Sequence, residues 1–316
     1  LAAGAQAQLT AEQIDQSVSR GVELLWKTQR PDGGWGDFDT GIPDFGNFFR
    51  NGGWGGGPGR GRGRDGGGRD GPPRLEDMGT IKFEHGQTMA ALLGLAYSGA
   101  DVSDKRFQKA LDAALAAEVG KNYVLGLRVL ALAKVCDRLS GTRQQTARTV
   151  IAKDVAALAA NQNSRGLWYY EKHERNIDMG STALAIAALA ESASVLTVKD
   201  GSLWKQSLAS LMEAQREDGR WNYTQMGGGM MGDMDFGSTT VNGVAGLLAL
   251  RTVVLRGGGC PCRDGKSSAA ADAVYQAIER GLAQISKDDA EGLGGGGGVP
   301  GAGGQGGNTR RAVRQA

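Results

Sequence analysis

The sequence predicts an all-α chain of repeated helix pairs, about nine helices in all. Three observations carry that prediction. One phrase, Gln-x3-Gly-x-Trp, recurs at Gln29–Trp35, Gln162–Trp168 and Gln215–Trp221. Each copy follows an amphipathic segment with apolar residues at three- and four-residue intervals, such as Val22, Leu25 and Trp26, or Leu208, Leu211 and Met212. That is the period of a helix with one buried face. Downstream of each copy lies a second segment rich in Ala, Leu, Val and Gly, and a helix apolar nearly all round must be buried on most sides.

Taken in order, Glu12–Thr28 is the first outer helix, and the turn Gln29–Trp35 ends it. Its apolar partner is Gln87–Ser98, entered through Gly86, Gln87 and Thr88. Between them the stretch Phe45–Arg74 is dominated by Gly and Arg and lacks the apolar residues to order itself, so a disordered insertion at 45–74 is expected. A degenerate pair without the Gln and Trp follows, Asp104–Ala117 and Tyr123–Val135. Thr146–Asn161 is the next outer helix, closed by Gln162–Trp168 and paired with Ser181–Ala193. Ser202–Ala214 is closed by Gln215–Trp221 and paired with Ser238–Leu255. A last outer helix, Ser268–Ile285, carries Ala277–Ala283, which echoes Ser19–Val22; it has no second helix. The Ser and Thr at the openings of the apolar helices, Thr88, Ser181, Thr182, Ser238 and Thr239, read as N-caps for orphan amides.

Composition excludes several classes. Lys plus Arg is 36 and Asp plus Glu is 34, a net +2, which is no footprint for nucleic acid or an anionic membrane. Of 53 glycines, 23 lie in Asn51–Gly71 and Gly292–Gly307, so the remainder is an ordinary globular composition. No apolar run approaches the roughly 18 residues of a membrane helix. The expected layout is a segment 1–10, a repeat domain 11–286 and a disordered Gly-rich tail 287–316. The opening residues, with Ala5-x-Ala7, read as the remnant of a secretory signal, which makes the protein an exported one, periplasmic or extracellular; an arbitrary boundary is the alternative. Three cysteines, Cys136, Cys260 and Cys262, are too few for a disulfide framework.

The repeated phrase has a physical reading. The Gln at a helix end reaches backbone groups of a neighbouring helix, the Gly permits a turn that a side chain blocks, and the Trp packs its indole on the adjacent repeat. On Gln29, Gly33 and Trp35, Gln162, Gly166 and Trp168, and Gln215, Gly219 and Trp221, the chain resembles the squalene/oxidosqualene cyclase and protein prenyltransferase superfamily, whose QW motifs end outer helices in this way. The resemblance covers roughly residues 12–285. It implies an α/α toroid, here an incomplete α-α barrel, with inner helices whose N-terminal ends line a central cavity.

The family's chemistry is a separate question. Class II terpene cyclases protonate an alkene through the central acid of a D-x-D-D-T stretch at an inner helix start. Here the corresponding stretches are Asp178–Thr182 and Asp235–Thr239, in which the first acid stays and the two adjacent acids become Gly180 and Ser181, or Gly237 and Ser238. Asp233 and Asp235 supply a D-x-D two residues too early. Prenyltransferases hold zinc through Asp, Cys and His, yet this chain has two histidines, His85 and His173, and no Asp-x-Cys. Cys260-Pro261-Cys262 in a Gly-rich loop is too short a motif for metal or redox chemistry. Gly59–Gly66 has G-x-G spacing without a preceding strand or a following helix, so it is no dinucleotide loop. No cofactor and no metal are expected. The reading is a binding scaffold whose cavity takes an apolar ligand, a polysaccharide or a protein, with no nucleic acid and no membrane span. The alternative is a terpenoid cyclase or prenyltransferase-type enzyme with atypical acids, its candidates Glu84, His85, Asp178, Asp233 and Asp235.

Overall fold

A computed structural model describes residues 10–43, 80–174, 176–196, 202–221, 237–256 and 269–290, and of 40–43, 202–205, 237–239, 251–256, 269–272 and 288–290 the backbone alone. The described residues are mostly helical. They fall into two compact units, one from Leu1–Ala160 with Glu191–Val198 and one from Asn161–Ala190 with Lys199–Ala316.

The first unit opens with α1, Ala11–Thr28, started by a reciprocal cap in which Thr10 Oγ1 accepts from Gln13 N and Gln13 Oε1 accepts from Thr10 N. Two short strands follow, β1 (Phe38–Pro43) and β2 (Thr80–Phe83), paired antiparallel with Phe38 opposite Phe83 and Asp39 opposite Lys82. The sequence pattern did not anticipate this ribbon, because β2 is a four-residue piece whose only partner lies across the long Gly/Arg stretch. Next come α2 (Gly86–Tyr97), α3 (Lys105–Ala116), α4 (Asn122–Cys136) and α5 (Gly141–Asn161). α5 starts five residues ahead of the Thr146 expected from periodicity.

The division into outer and inner helices follows from burial. α4 is buried along its whole length except Tyr123 and Lys134, and α2 packs extensively against it. α3 covers α2 through Phe107, Ala110, Leu111 and Ala114 and leaves its polar face to solvent. One charge sits inside this apolar set. Arg128 of α4, 3 % exposed, donates to both carboxylate oxygens of Asp154 on α5 at 2.6 and 2.7 Å, and to the carbonyls of Ala117 and Ala114 at the end of α3. Those carbonyls have no partner within their own helix end, so one guanidinium ties three helices together. Burial pushes the Asp154 carboxyl above its ordinary value, and the guanidinium opposes that shift.

The second unit holds α6 (Met179–Ser192), α7 (Ser202–Ala214), α8 (Gly237–Arg256) and α9 (Ala269–Ala290). α8 packs against both α9 and α7. Its core contains Leu211, Trp221, Val244, Leu247 and Ala277. Nine helices and one two-stranded ribbon are thus present among the described residues. No described helix is long and apolar enough to cross a membrane. The expected insertion at 45–74, Cys260, Cys262 and the tail beyond Ala290 lie outside the described residues.

Candidate functional site

Two kinds of feature recur on this scaffold: the turns that close the outer helices, and the N-terminal ends of the inner helices. The three turns share one geometry. Gln29 Nε2 donates to Gly33 O at 2.9 Å, Gln162 Nε2 to Gly166 O at 3.1 Å, and Gln215 Nε2 to Gly219 O at 3.1 Å. The same amide reaches the next outer helix: Arg106 O on α3, Ser207 Oγ on α7, and Ala277 O on α9. A primary amide has two donor hydrogens, and both are used.

The glycines have no substitute. Gly33, Gly166 and Gly219 take φ of +89°, +76° and +88°, the left-handed region, and a Cβ there would lie 2.4 Å from Lys109 O, 2.7 Å from the Gln206 carbonyl carbon and 2.6 Å from Arg280 O. The indoles then close the helix ends. Trp35 Nε1 donates to Leu25 O and Trp221 Nε1 to Leu211 O, each at 2.9 Å and each a carbonyl in the last turn of its own outer helix. Trp168 and Trp221 are buried to within 1 %.

The inner-helix hydroxyls do something other than the capping their sequence suggests. Thr88 Oγ1 accepts from Trp35 N and Gly36 N, and Thr182 Oγ1 accepts from Trp168 N and donates to Trp168 O. They fasten the inner helix to the turn. Capping of α6 falls instead to Asp178, 2 % exposed, whose Oδ1 accepts from Ser181 N at 2.6 Å.

At the start of α2, His85 has φ 59° and ψ 7°, the only left-handed residue besides glycine among the described residues. Its backbone N–H donates to Asp37 Oδ1 at 2.9 Å. Glu84 beside it is exposed. Gly86 is required here, since a Cβ would meet Phe38 Cβ at 3.0 Å and Phe83 Cβ at 3.1 Å. Those rings belong to an aromatic column the sequence reading missed: Phe38 lies 6.3 Å from Phe83, and Phe83 stacks at 5.0 Å on Tyr123 in the first turn of α4. Phe38, 45 % exposed, ends the column in solvent.

Of the acid candidates, then, Glu84 and His85 lie together in the first unit, Asp178 is a buried cap in the second, and Asp233 and Asp235 lie outside the described residues. His173 is exposed, with its Nδ1 accepting from Asn176 N and its ring 5.7 Å from Tyr169. Among the described residues no three His, Cys, Asp or Glu side chains converge as a metal site would require. Two hydroxyls stand out for the opposite reason. Ser181 in the first turn of α6 and Thr240 in the first turn of α8 are fully buried, and neither Oγ meets a hydrogen-bond partner. Comparison with protein-family models, curated proteins and solved structures finds no match for this chain.

Proposed function

We propose that the chain is a helix-pair repeat scaffold of the squalene/oxidosqualene cyclase and protein prenyltransferase type, arranged as an α/α toroid, that binds a ligand at the N-terminal ends of its inner helices without transforming it. It acts outside the cytoplasm in this reading. The observation that carries it is the pair of orphan hydroxyls, Ser181 and Thr240, at the openings of two inner helices. A buried hydroxyl without a partner costs about 1–3 kcal/mol, which a polar ligand atom would recover. The nearest acid, Asp178, is already engaged as a helix cap, and Gly180 and Ser181 stand where the resemblance needs the proton donor.

Among an apolar molecule, a polysaccharide and a protein, the polysaccharide fits best. Its hydroxyls match the orphan groups, and its ring faces match exposed aromatic surface such as Phe38. The test is calorimetric titration with neutral oligosaccharides of glucan, xylan and chitin type, on the native chain and on S181A/T240V. Binding to the native chain, weakened at least tenfold in the variant with its melting temperature unchanged or raised, supports the proposal. Absence of binding across the panel, or cyclisation of a linear isoprenoid that stops in Asp178→Asn, overturns it in favour of the enzyme.

A further inference from the structure

Three outer helices receive a turn, and they receive it in the same register. On α3, α7 and α9 the turn glycine presses on the carbonyl group of Lys109, Gln206 and Arg280 respectively. The residue one position later is small in every case, Ala110, Ser207 and Gly281, and every one is buried. Three residues before the pressed carbonyl on α3 and α9 lies the carbonyl that the Gln amide clamps, Arg106 O and Ala277 O.

α1 repeats this pattern without a turn on it. Its Arg20-Gly21 matches Arg280-Gly281, so Ser17 and Arg20 hold the equivalent carbonyls, and Val18 and Leu24 match Ile278 and Gln284. On α9 these positions are covered: Ile278 is 6 % and Gln284 8 % exposed, and a Cβ on Gly281 would meet Val244 Cγ2 at 2.5 Å and Trp221 Cζ3 at 3.1 Å. On α1 they are bare. Val18 is 43 % and Leu24 61 % exposed, nothing lies within 4 Å of a Cβ on Gly21, and no residue of the helix is buried.

We propose that this face of α1 is an unfilled turn socket, and that it binds in trans a separate polypeptide presenting a helix C-terminus followed by Gln-x3-Gly-x-Trp. The partner's Gln amide donates to Ser17 O, its left-handed Gly seats on Arg20 O, and its indole covers Gly21 and Leu24. The occupant is another chain because the three turns of this one are already seated, on α3, α7 and α9. This inference rests on turn geometry and is independent of the oligosaccharide reading.

The test is hydrogen exchange of the α1 amides in the full chain with a synthetic peptide of the sequence Ser202–Trp221, both unmodified and with a hydrocarbon staple that holds it helical. Slowed exchange over Ile14–Leu24 is expected, lost at least tenfold in apparent affinity when Gly21 is changed to Leu in the protein or Gly219 to Val in the peptide. The Gly21→Leu chain must melt as the native one does, since the site is open. If the stapled peptide, helical by circular dichroism, leaves α1 unprotected, there is no socket. Protection that survives both substitutions is sticking to an apolar stripe, and equally overturns the proposal.

Discussion

Gly33 and Gly99 both adopt left-handed backbone, φ +89° and +78°, and differ in what surrounds them. A Cβ on Gly99 meets nothing within 4 Å, whereas one on Gly33 would sit 2.4 Å from Lys109 O, about 1 Å inside ordinary contact. Both alanine variants therefore carry the left-handed strain of about 1–2 kcal/mol and the same small gain from a stiffer unfolded chain. Gly33→Ala alone must also push α3 away by about 1 Å, which stretches the 2.9 Å bond from Gln29 Nε2 to Arg106 O beyond hydrogen-bonding range. That bond is worth about 0.5–1.5 kcal/mol, and the Arg106 guanidinium 4.7 Å above the Trp26 ring adds about 0.5–1 kcal/mol. Gly33→Ala should thus cost about 1–2.5 kcal/mol more than Gly99→Ala. Urea unfolding read by hydrogen exchange at the α3 amides measures the difference in the first unit by itself. Equal losses within about 0.5 kcal/mol would refute the claim that the turn glycine sets the helix spacing.

Three further outcomes follow from the same coordinates. Arg128→Met leaves the Asp154 carboxylate, 1 % exposed, without its cation and should cost about 3–5 kcal/mol, while R128M/D154L should recover most of that loss in the same unfolding assay. Asp104, which caps α3, is held below the ordinary carboxylate value chiefly by the Arg106 side chain and then by the Arg106 backbone N–H. A depressed folded value gives stability that is present above the unfolded value of about 3.9 and lost as pH falls through the folded one. Asp104→Asn should therefore flatten the acid limb of the melting curve, leaving it unchanged at pH 7 as Asn caps equally well. Burial pushes the Cys136 thiol up, so peptide mass spectrometry after alkylation at pH 8 should find Cys136 unlabelled in the native chain and labelled in urea.

The helices were legible because each carries its period and its end in local sequence. Ser202–Ala214 was located to the residue, and the other boundaries moved by one to five positions. What stayed hidden depends on partners remote in sequence. The ribbon joins Phe38 to Phe83 across the Gly/Arg insertion, and neither strand has enough alternation to declare itself. Thr88 and Thr182 sit where N-caps usually stand, yet the turn amides of Trp35 and Trp168 reach them first. The Arg128–Asp154 pair had a readable half: a lone Arg inside a helix otherwise apolar on all faces must find an acid, though which one only the packing of α5 decides. At the candidate site the sequence located Asp178 and His85 but could not distinguish a cap from an acid, since both begin helices and the difference is one 2.6 Å contact.

The conserved letter of the turn can itself be tested, because its geometry admits Gln and no near relative. Asn is one methylene too short to span from Gly33 O to Arg106 O, and Glu has no hydrogen to give either of them at neutral pH. Gln29→Glu places carboxylate oxygens where two carbonyl oxygens lie at 2.9 Å, so both bonds are lost and two acceptor contacts replace them. A loss of about 2–3 kcal/mol is expected at pH 7. Protonation restores one donor, so the folded-state value of this Glu lies above its unfolded value of about 4.3. A raised value means stability that is present below the unfolded value and disappears as pH rises through the folded one. The gap between Gln29→Glu and native protein should therefore narrow from pH 7 to pH 4, whereas Gln29→Ala, which can neither donate nor repel, should keep a constant gap. A Glu variant that tracks the Ala variant at every pH would mean that the turn is held by its glycine and indole alone, with the amide a bystander.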